Sequence, residues 1–261
     1  MPRPRRSCLT VPGDDERKVA RAATIPADEV ILDLEDAVPP ARKDEARAIV
    51  ERVLRDLSFA AATVAIRVNR GSDEDLVLIR AVKPDIVVLP KVESPDELIG
   101  LPVPAEAQIE TARGLVECER IAATPGLEAL VLGPGDLAAS LGIPELTIGE
   151  GAHVEHALVR VLVAARACGV AAVDGPYVTL DDPGGLRRAA MRSRALGYDG
   201  KWCIHPAQVE ICNEVYTPTA EEVARARRIL GVEGVARIGD EMVDEANRRM
   251  AESILARLPT V

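Results

Sequence analysis

ILDLEDAVPP, residues 31–40, sets three carboxylates (Asp33, Glu35 and Asp36) into an apolar run of Ile31, Leu32, Leu34 and Val38. Acidic side chains are disfavoured in strands and costly to bury without a partner. An apolar strand that turns acidic at its C-terminal end is what a parallel α/β barrel presents at its mouth, where functional side chains sit. The fold therefore depends on whether the flanking sequence repeats this pattern.

It does. Upstream, SCLTV (7–11) reads as a strand and DDERKVARAAT (14–24) as a helix whose opening acids favour the positive end of the helix dipole. Downstream of strand EVILDLED (29–36), the helix RKDEARAIVERVLRDL (42–57) leads to strand TVAIRVN (63–69) and helix DEDLVLIRAV (73–82). DIVVLPKV (85–92) precedes a helix at SPDELIGL (94–101), with Ser94 as N-cap and Pro95 in its first turn. AQIETA (107–112), ALVLGPGDL (129–137), AAVDGPYV (171–178) and GKWCIHP (200–206) complete eight strands. Their helices are expected at 114–124, about 150–168, 182–197 and 220–231. Alternation of this kind implies parallel pairing, and eight units in 261 residues predict a (β/α)8 TIM barrel over 1–230. Residues 231–261 are left as a C-terminal lid segment: a loop, then an extension helix. A doubly wound open sheet is disfavoured because no Gly-rich phosphate fingerprint follows the first strand.

Composition agrees. Apolar residues make up 48% and aromatics only 2%, so the core is built from Val, Ile, Leu and Ala. Few aromatics and a net charge of −10 argue against a nucleic-acid partner. Five scattered cysteines without C-x-x-C indicate neither a disulfide framework nor a zinc cluster, and fit a reducing cytoplasm. The start MPRPRRSCLTVPG lacks the apolar run of a signal peptide, and no stretch reaches the roughly 20 apolar residues of a membrane span.

Polar residues collect at the predicted strand ends: Asp33, Glu35 and Asp36; Arg67 and Asn69; Lys91 and Glu93; Glu110, Thr111 and Arg113; Asp136; Asp174; His205. Several hard carboxylates without paired Cys or His suit Mg2+ or Mn2+, and the same carboxylates can instead pair with neighbouring Arg or Lys. Lys91 can be read as a Schiff-base nucleophile, but carboxylates around it favour a protonated ion-pair partner. His205 is either a site residue or a loop-orienting one. His153 and His156, and the basic stretch 186–197, read as solvated helix faces.

RSCLTVPG, VILDLEDAV, AIRVN, VLPKVES, IETARGL, LGPGDLAASLG and GYDGKWCIHPAQV occur in this order. Together they resemble the citrate lyase β-subunit-like branch of the HpcH/HpaI aldolase superfamily, over about residues 6–230. The resemblance implies a Mg2+-dependent TIM-barrel enzyme that cleaves or forms a C–C bond between an acyl thioester and a 2-keto acid. By it, Glu110 and Asp136 are the metal ligands, and Arg67 holds the thioester carbonyl. Glu35 and Asp36 lie beside the metal and its waters, while the segment 133–136, with Gly133, Pro134 and Gly135, binds substrate by offering backbone N–H groups to the keto-acid carboxylate. Asp33 lies deeper, in an ion pair or hydrogen-bonding role. Asp244, in GDEMVDEAN (239–247), matches an acid that reaches a neighbouring subunit's site, although Glu241 and Glu245 stand where the family usually has Lys and Pro. The implied substrate is a citryl, malyl or citramalyl thioester on CoA or an acyl carrier. The implied assembly is a homotrimer or hexamer, alone or in a citrate lyase complex. The alternative is a metal-dependent aldolase on free keto acids. The His base that pyruvate aldolases of the superfamily carry near strand 2 has no counterpart here.

Overall fold

Eight parallel strands, β1 (Ser7–Pro12), β2 (Glu29–Asp33), β3 (Thr63–Arg67), β4 (Ile86–Leu89), β5 (Ala105–Ile109), β6 (Leu127–Leu132), β7 (Ala171–Asp174) and β8 (Gly200–Cys203), pair in sequence order. β8 closes the ring on β1, with Ser7 opposite Lys201 and Leu9 opposite Cys203. The computed structural model describes residues 3–144 and 152–258. The chain is thus the (β/α)8 barrel that the alternation predicts.

Strand alternation sorts the apolar residues into two layers. Ile31, Ala65, Val88, Val131, Val173 and Trp202 fill the barrel interior. Val30, Leu32, Ile66, Val87 and Leu130 point outward to the helices. The helices are α1 (Glu16–Ala22), α2 (Lys43–Asp56), α3 (Asp73–Val82), α4 (Ala112–Ala122), α5 (Pro134–Ser140), α6 (Ala152–Cys168), α7 (Pro183–Leu196), α8 (Ala207–Tyr216), α9 (Ala220–Leu230) and α10 (Glu245–Ala256). Residues 150 and 151 of the expected sixth helix lie outside the described residues.

Several elements differ from expectation. After β4 there is only a 3-10 turn, Pro95–Leu98, closed by a capping box between Ser94 and Glu97. Gly100, at φ +78°, and then Pro102 and Pro104 prevent its extension to residue 101. The strand expected to run through GPGDL ends at Leu132, because Pro134 opens α5. α8 directly follows β8 and is additional to the expected helices; the expected eighth helix is α9, started by a Thr219–Glu222 capping box. The tail is more than a loop and a helix. Ala236–Ile238 (β9) and Glu241–Val243 (β10) form a hairpin around Gly239–Asp240. Val243 packs with Ala226, Ile229 and Ala251 in a small core separate from that of the barrel.

The floor of the barrel holds a second charged group. Arg5 Nε donates to Glu106 Oε1 at 2.5 Å, its Nη2 to Glu128 at 2.8 Å, and Glu29 Oε2 lies 3.8 Å away. No helix among the described residues is long and apolar enough to cross a membrane.

Candidate active site at the barrel mouth

β2 and β3 lie side by side with Asp33 opposite Arg67. This register turns the deepest carboxylate of ILDLEDAVPP into half of a bidentate pair. Arg67 Nε donates to Asp33 Oδ1 at 2.7 Å, and Nη2 to Oδ2 at 2.5 Å. Asp33 also accepts the backbone N–H groups of Glu35 and Ala37, which turns the chain sharply beyond the strand. Burial works against the Arg67 charge, yet the Asp33 hydrogen bonds and the charges of Asp33, Glu35 and Glu110 hold its pKa above the ordinary value.

Arg67 Nη1 lies 3.2 Å from Glu35 Oε2 and donates to Gln108 Oε1 at 3.3 Å. Lys91 crosses from the β4 loop to bind Glu35 and lies 3.3 Å from Asp36 Oδ2. The lysine is therefore an ion-pair partner. Glu35, Glu110 and Asp136 outweigh its burial and keep its ammonium protonated above the usual range. A Schiff-base role needs the opposite shift. Lys91 sits at φ +52°, in the left-handed region that costs an L-residue roughly 1–2 kcal/mol. That backbone aims its N–H at Glu110 Oε1, 2.8 Å away.

Glu110, just past β5, is 2% exposed. Burial and the charge of Asp136 push its carboxyl up to about 7. Asp136 lies in the first turn of α5 and is exposed, Gly133 and Pro134 are buried beneath it, and Gly135 is half-buried. A Cβ on Gly133 would lie 2.2 Å from Glu110 Oε2, so only glycine lets the strand end pass the carboxylate. The arrangement fits a hard cation: a desolvated carboxylate raised by a like-charged neighbour gains when a metal replaces its proton. Among the described residues no three His, Cys, Asp or Glu converge on one point. Two carboxylates suit Mg2+, which keeps waters and accepts substrate oxygens.

The other strand-end residues have local duties. Asn69 donates to Leu34 O and Asp75, and Thr111 caps α4. Glu93 pairs with Arg70, Arg113 with Glu117, and Asp174 with the buried Lys201. His205 is exposed, and its Nδ1 accepts the Ala207 N–H at the start of α8. Asp244 is not joined to the mouth by any hydrogen bond or ion pair among the described residues. Its Oδ1 accepts from Ala246 N (2.9 Å) and Asn247 N (3.2 Å), capping α10. Gln108 and Trp202 were not anticipated. The Trp202 ring lies 5.8 Å from the Arg67 guanidinium carbon. Gln108 could have been found from its position two residues before Glu110 on the same strand face.

Comparison with known proteins gives a consistent answer. The model of the HpcH/HpaI aldolase/citrate lyase family matches residues 6–106 and 102–206. A (3S)-malyl-CoA thioesterase of Cereibacter sphaeroides is 34% identical over 99% of this chain and 96% of its own length. An L-malyl-CoA/beta-methylmalyl-CoA lyase of the same organism is 33% identical over 97% of this chain and 94% of its own length. The crystal structure of protein CitE from Mycobacterium tuberculosis, in complex with magnesium, acetoacetate and coenzyme A, superimposes with a TM-score of 0.83. It is 33% identical, covering 96% of this chain and 97% of that one. With Glu110, Asp136 and Arg67 gathered at one barrel mouth, the chain belongs to the HpcH/HpaI aldolase/citrate lyase family, in its citrate lyase β-subunit-like branch.

Proposed function

We propose that the protein is a Mg2+-dependent carbon–carbon lyase. It cleaves, or in reverse forms, a 3-hydroxyacyl thioester of the citryl, malyl or citramalyl type, giving an acyl thioester and a 2-keto acid. The observation that carries this reading is the buried Glu110 beside the charge of Asp136, in the same mouth as an Arg67 guanidinium fixed on Asp33. Glu110 and Asp136 would hold the metal, which when bound would supply Lewis-acid polarisation that eases loss of the substrate's 3-hydroxyl proton. Arg67 offers its second Nη2 N–H to the thioester oxygen and stabilises the enolate charge that grows there as the C–C bond breaks. Glu35 and Asp36, tied through Lys91, orient the water that takes the 3-hydroxyl proton as the C–C bond breaks. The N–H groups at the start of α5, beyond Gly133 and Pro134, face the keto-acid carboxylate.

The enolate carbon takes a proton from an acid. In this reading Asp244 of a neighbouring subunit supplies it, in a cytoplasmic homotrimer or hexamer. CoA esters are favoured over an acyl-carrier thioester, since the malyl-CoA relatives are named for them. A citrate lyase complex is correspondingly disfavoured. The same relatives motivate a second reading, thioester hydrolysis, because one of them is named a thioesterase.

One assay separates these. Malyl-CoA incubated with enzyme and Mg2+ is expected to release glyoxylate, detected as its phenylhydrazone, without free thiol. Free CoA thiol without glyoxylate would favour hydrolysis. Turnover of free hydroxy-keto acids without CoA would favour the plain aldolase, and activity undiminished by EDTA would remove the metal from all three.

A further inference from the structure

We infer that Trp202 and Gln108 are positioning residues that set the plane of the Arg67 guanidinium; the inference rests on the role proposed for Arg67. Two parallel hydrogen bonds from Nε and Nη2 to Asp33 fix one edge of the guanidinium. An edge is a line, and a planar group held along a line can still hinge about it. A third point and a face remove that freedom. Gln108 Oε1, accepting from Nη1 at 3.3 Å, supplies the third point together with Glu35 Oε2, 3.2 Å from the same nitrogen. The Trp202 ring supplies the face, 5.8 Å below the guanidinium carbon and within cation–π range.

Both supports are rigid. Trp202 is 3% exposed and Gln108 5%, and they reach the arginine from β8 and β5. Trp202 packs among Ile31, Ala65, Val88 and Val131 in the interior layer beneath the mouth, and it is the chain's single tryptophan. The other side chains of that layer are small or aliphatic and offer no π face. A guanidinium that must meet an oxygen carrying charge only during the reaction gains from being held before substrate arrives.

The test needs one readout free of catalysis and one within it. In 1H–15N spectra of the arginine side chains, the wild-type Arg67 Nε–H signal, assigned with Arg67→Lys, is expected to be shifted by the Trp202 ring current. Its Nη signals are expected to be resolved by hindered rotation. In Trp202→Leu the shift disappears and the Nη signals draw together; Gln108→Met keeps the shift and draws the Nη signals together less, because Glu35 still faces Nη1. In turnover of malyl-CoA, Trp202→Leu is expected to lower kcat roughly 5- to 30-fold, the range a desolvated cation–π contact of about 1–2 kcal/mol allows, with KM changed less than about threefold. Trp202→Phe restores most of the loss.

Unshifted wild-type Arg67 signals, or variants with wild-type spectra and kcat, overturn the inference. So does a kcat loss in Trp202→Leu that Trp202→Phe does not restore. If the wild type shows the shifted signals but cleaves no thioester, the lyase reading fails and the positioning of Arg67 stands. If Trp202→Leu does not fold, Gln108→Met carries the test alone.

Discussion

Glu110 Oε2 and the α-carbon of Gly133 approach so closely that a Cβ on Gly133 would stand 2.2 Å from that oxygen and 2.5 Å from Glu110 Cβ. Neither atom can give way easily, since Glu110 is buried and tied to Lys91 N. Gly133→Ala is therefore expected to turn the carboxylate away and weaken Mg2+ binding at least tenfold, read by calorimetry, while the circular dichroism spectrum stays that of a folded barrel. Unchanged Mg2+ affinity would remove Glu110 from the metal site.

Arg67 is expected to be needed for turnover and for stability together. Asp33 is fully buried, and removing its bidentate partner leaves an uncompensated charge worth roughly 3–5 kcal/mol. Arg67→Ala should therefore lose activity and melt lower. Arg67→Lys keeps a charge beside Asp33 but not the fork. It is expected to retain more of the melting temperature than alanine while kcat falls about 100-fold or more. Near-normal kcat in the lysine variant would show that only charge matters.

Asp244 offers a cleaner separation. An alanine there removes the α10 cap, which typically costs about 1 kcal/mol, and confuses folding with chemistry. Asparagine caps equally well but is no acid. Asp244→Asn is expected to keep the melting temperature and lose turnover. Mixing Asp244→Asn subunits with Arg67→Lys subunits should restore part of the activity if the acid reaches across a subunit boundary. Full activity in Asp244→Asn alone would rule the residue out as the acid.

The floor of the barrel predicts a pH dependence. Glu29 is fully buried beside Glu106, and burial followed by the Glu106 charge raises its pKa well above the ordinary value, against the pull of Arg5. The folded protein therefore holds a proton that the unfolded chain releases. The stability this contributes is complete below the unfolded value, about 4.3, and is lost as pH rises toward the folded one. Glu29→Gln removes the titration. Urea unfolding at pH 5 and pH 8 should show wild type losing more stability across the interval than the variant. Parallel losses would mean that Glu29 is ionised throughout.

Much of this was legible in the sequence because barrel strands are short and largely apolar, with polar residues gathered at and beyond their C-terminal ends. ILDLEDAVPP, AIRVN and IETARGL show that pattern directly, and Asp33, Arg67 and Glu110 meet where strand order puts them. Helix α8 was hidden because Val209, Cys212 and Val215 lie on a short segment that begins in the strand-like KWCIHP. The cap at Ser94 predicts a helix over 94–101, but Gly100 and two prolines stop the chain after a single turn. Gln108 carries a local signal, its place two residues before Glu110 on the same strand face. Trp202 carries none: its importance lies in the Arg67 guanidinium that it meets across the barrel, and no local pattern encodes such a meeting.

The interior layer of Ile31, Ala65, Val88, Val131 and Val173 lies between two ionic groups. The groups that perturb Arg67 are Asp33, Glu35 and Glu110 at the mouth, whereas those that perturb Glu29 are Glu106, Arg5 and Cys8 at the floor. The slab separates the two groups by distance and not by screening, since a low-dielectric layer transmits charge more strongly than water does. The leading partners of each group nevertheless lie at its own end of the barrel, so a mouth reshaped for a new acyl group leaves the Arg5 ion pairs at the base in place.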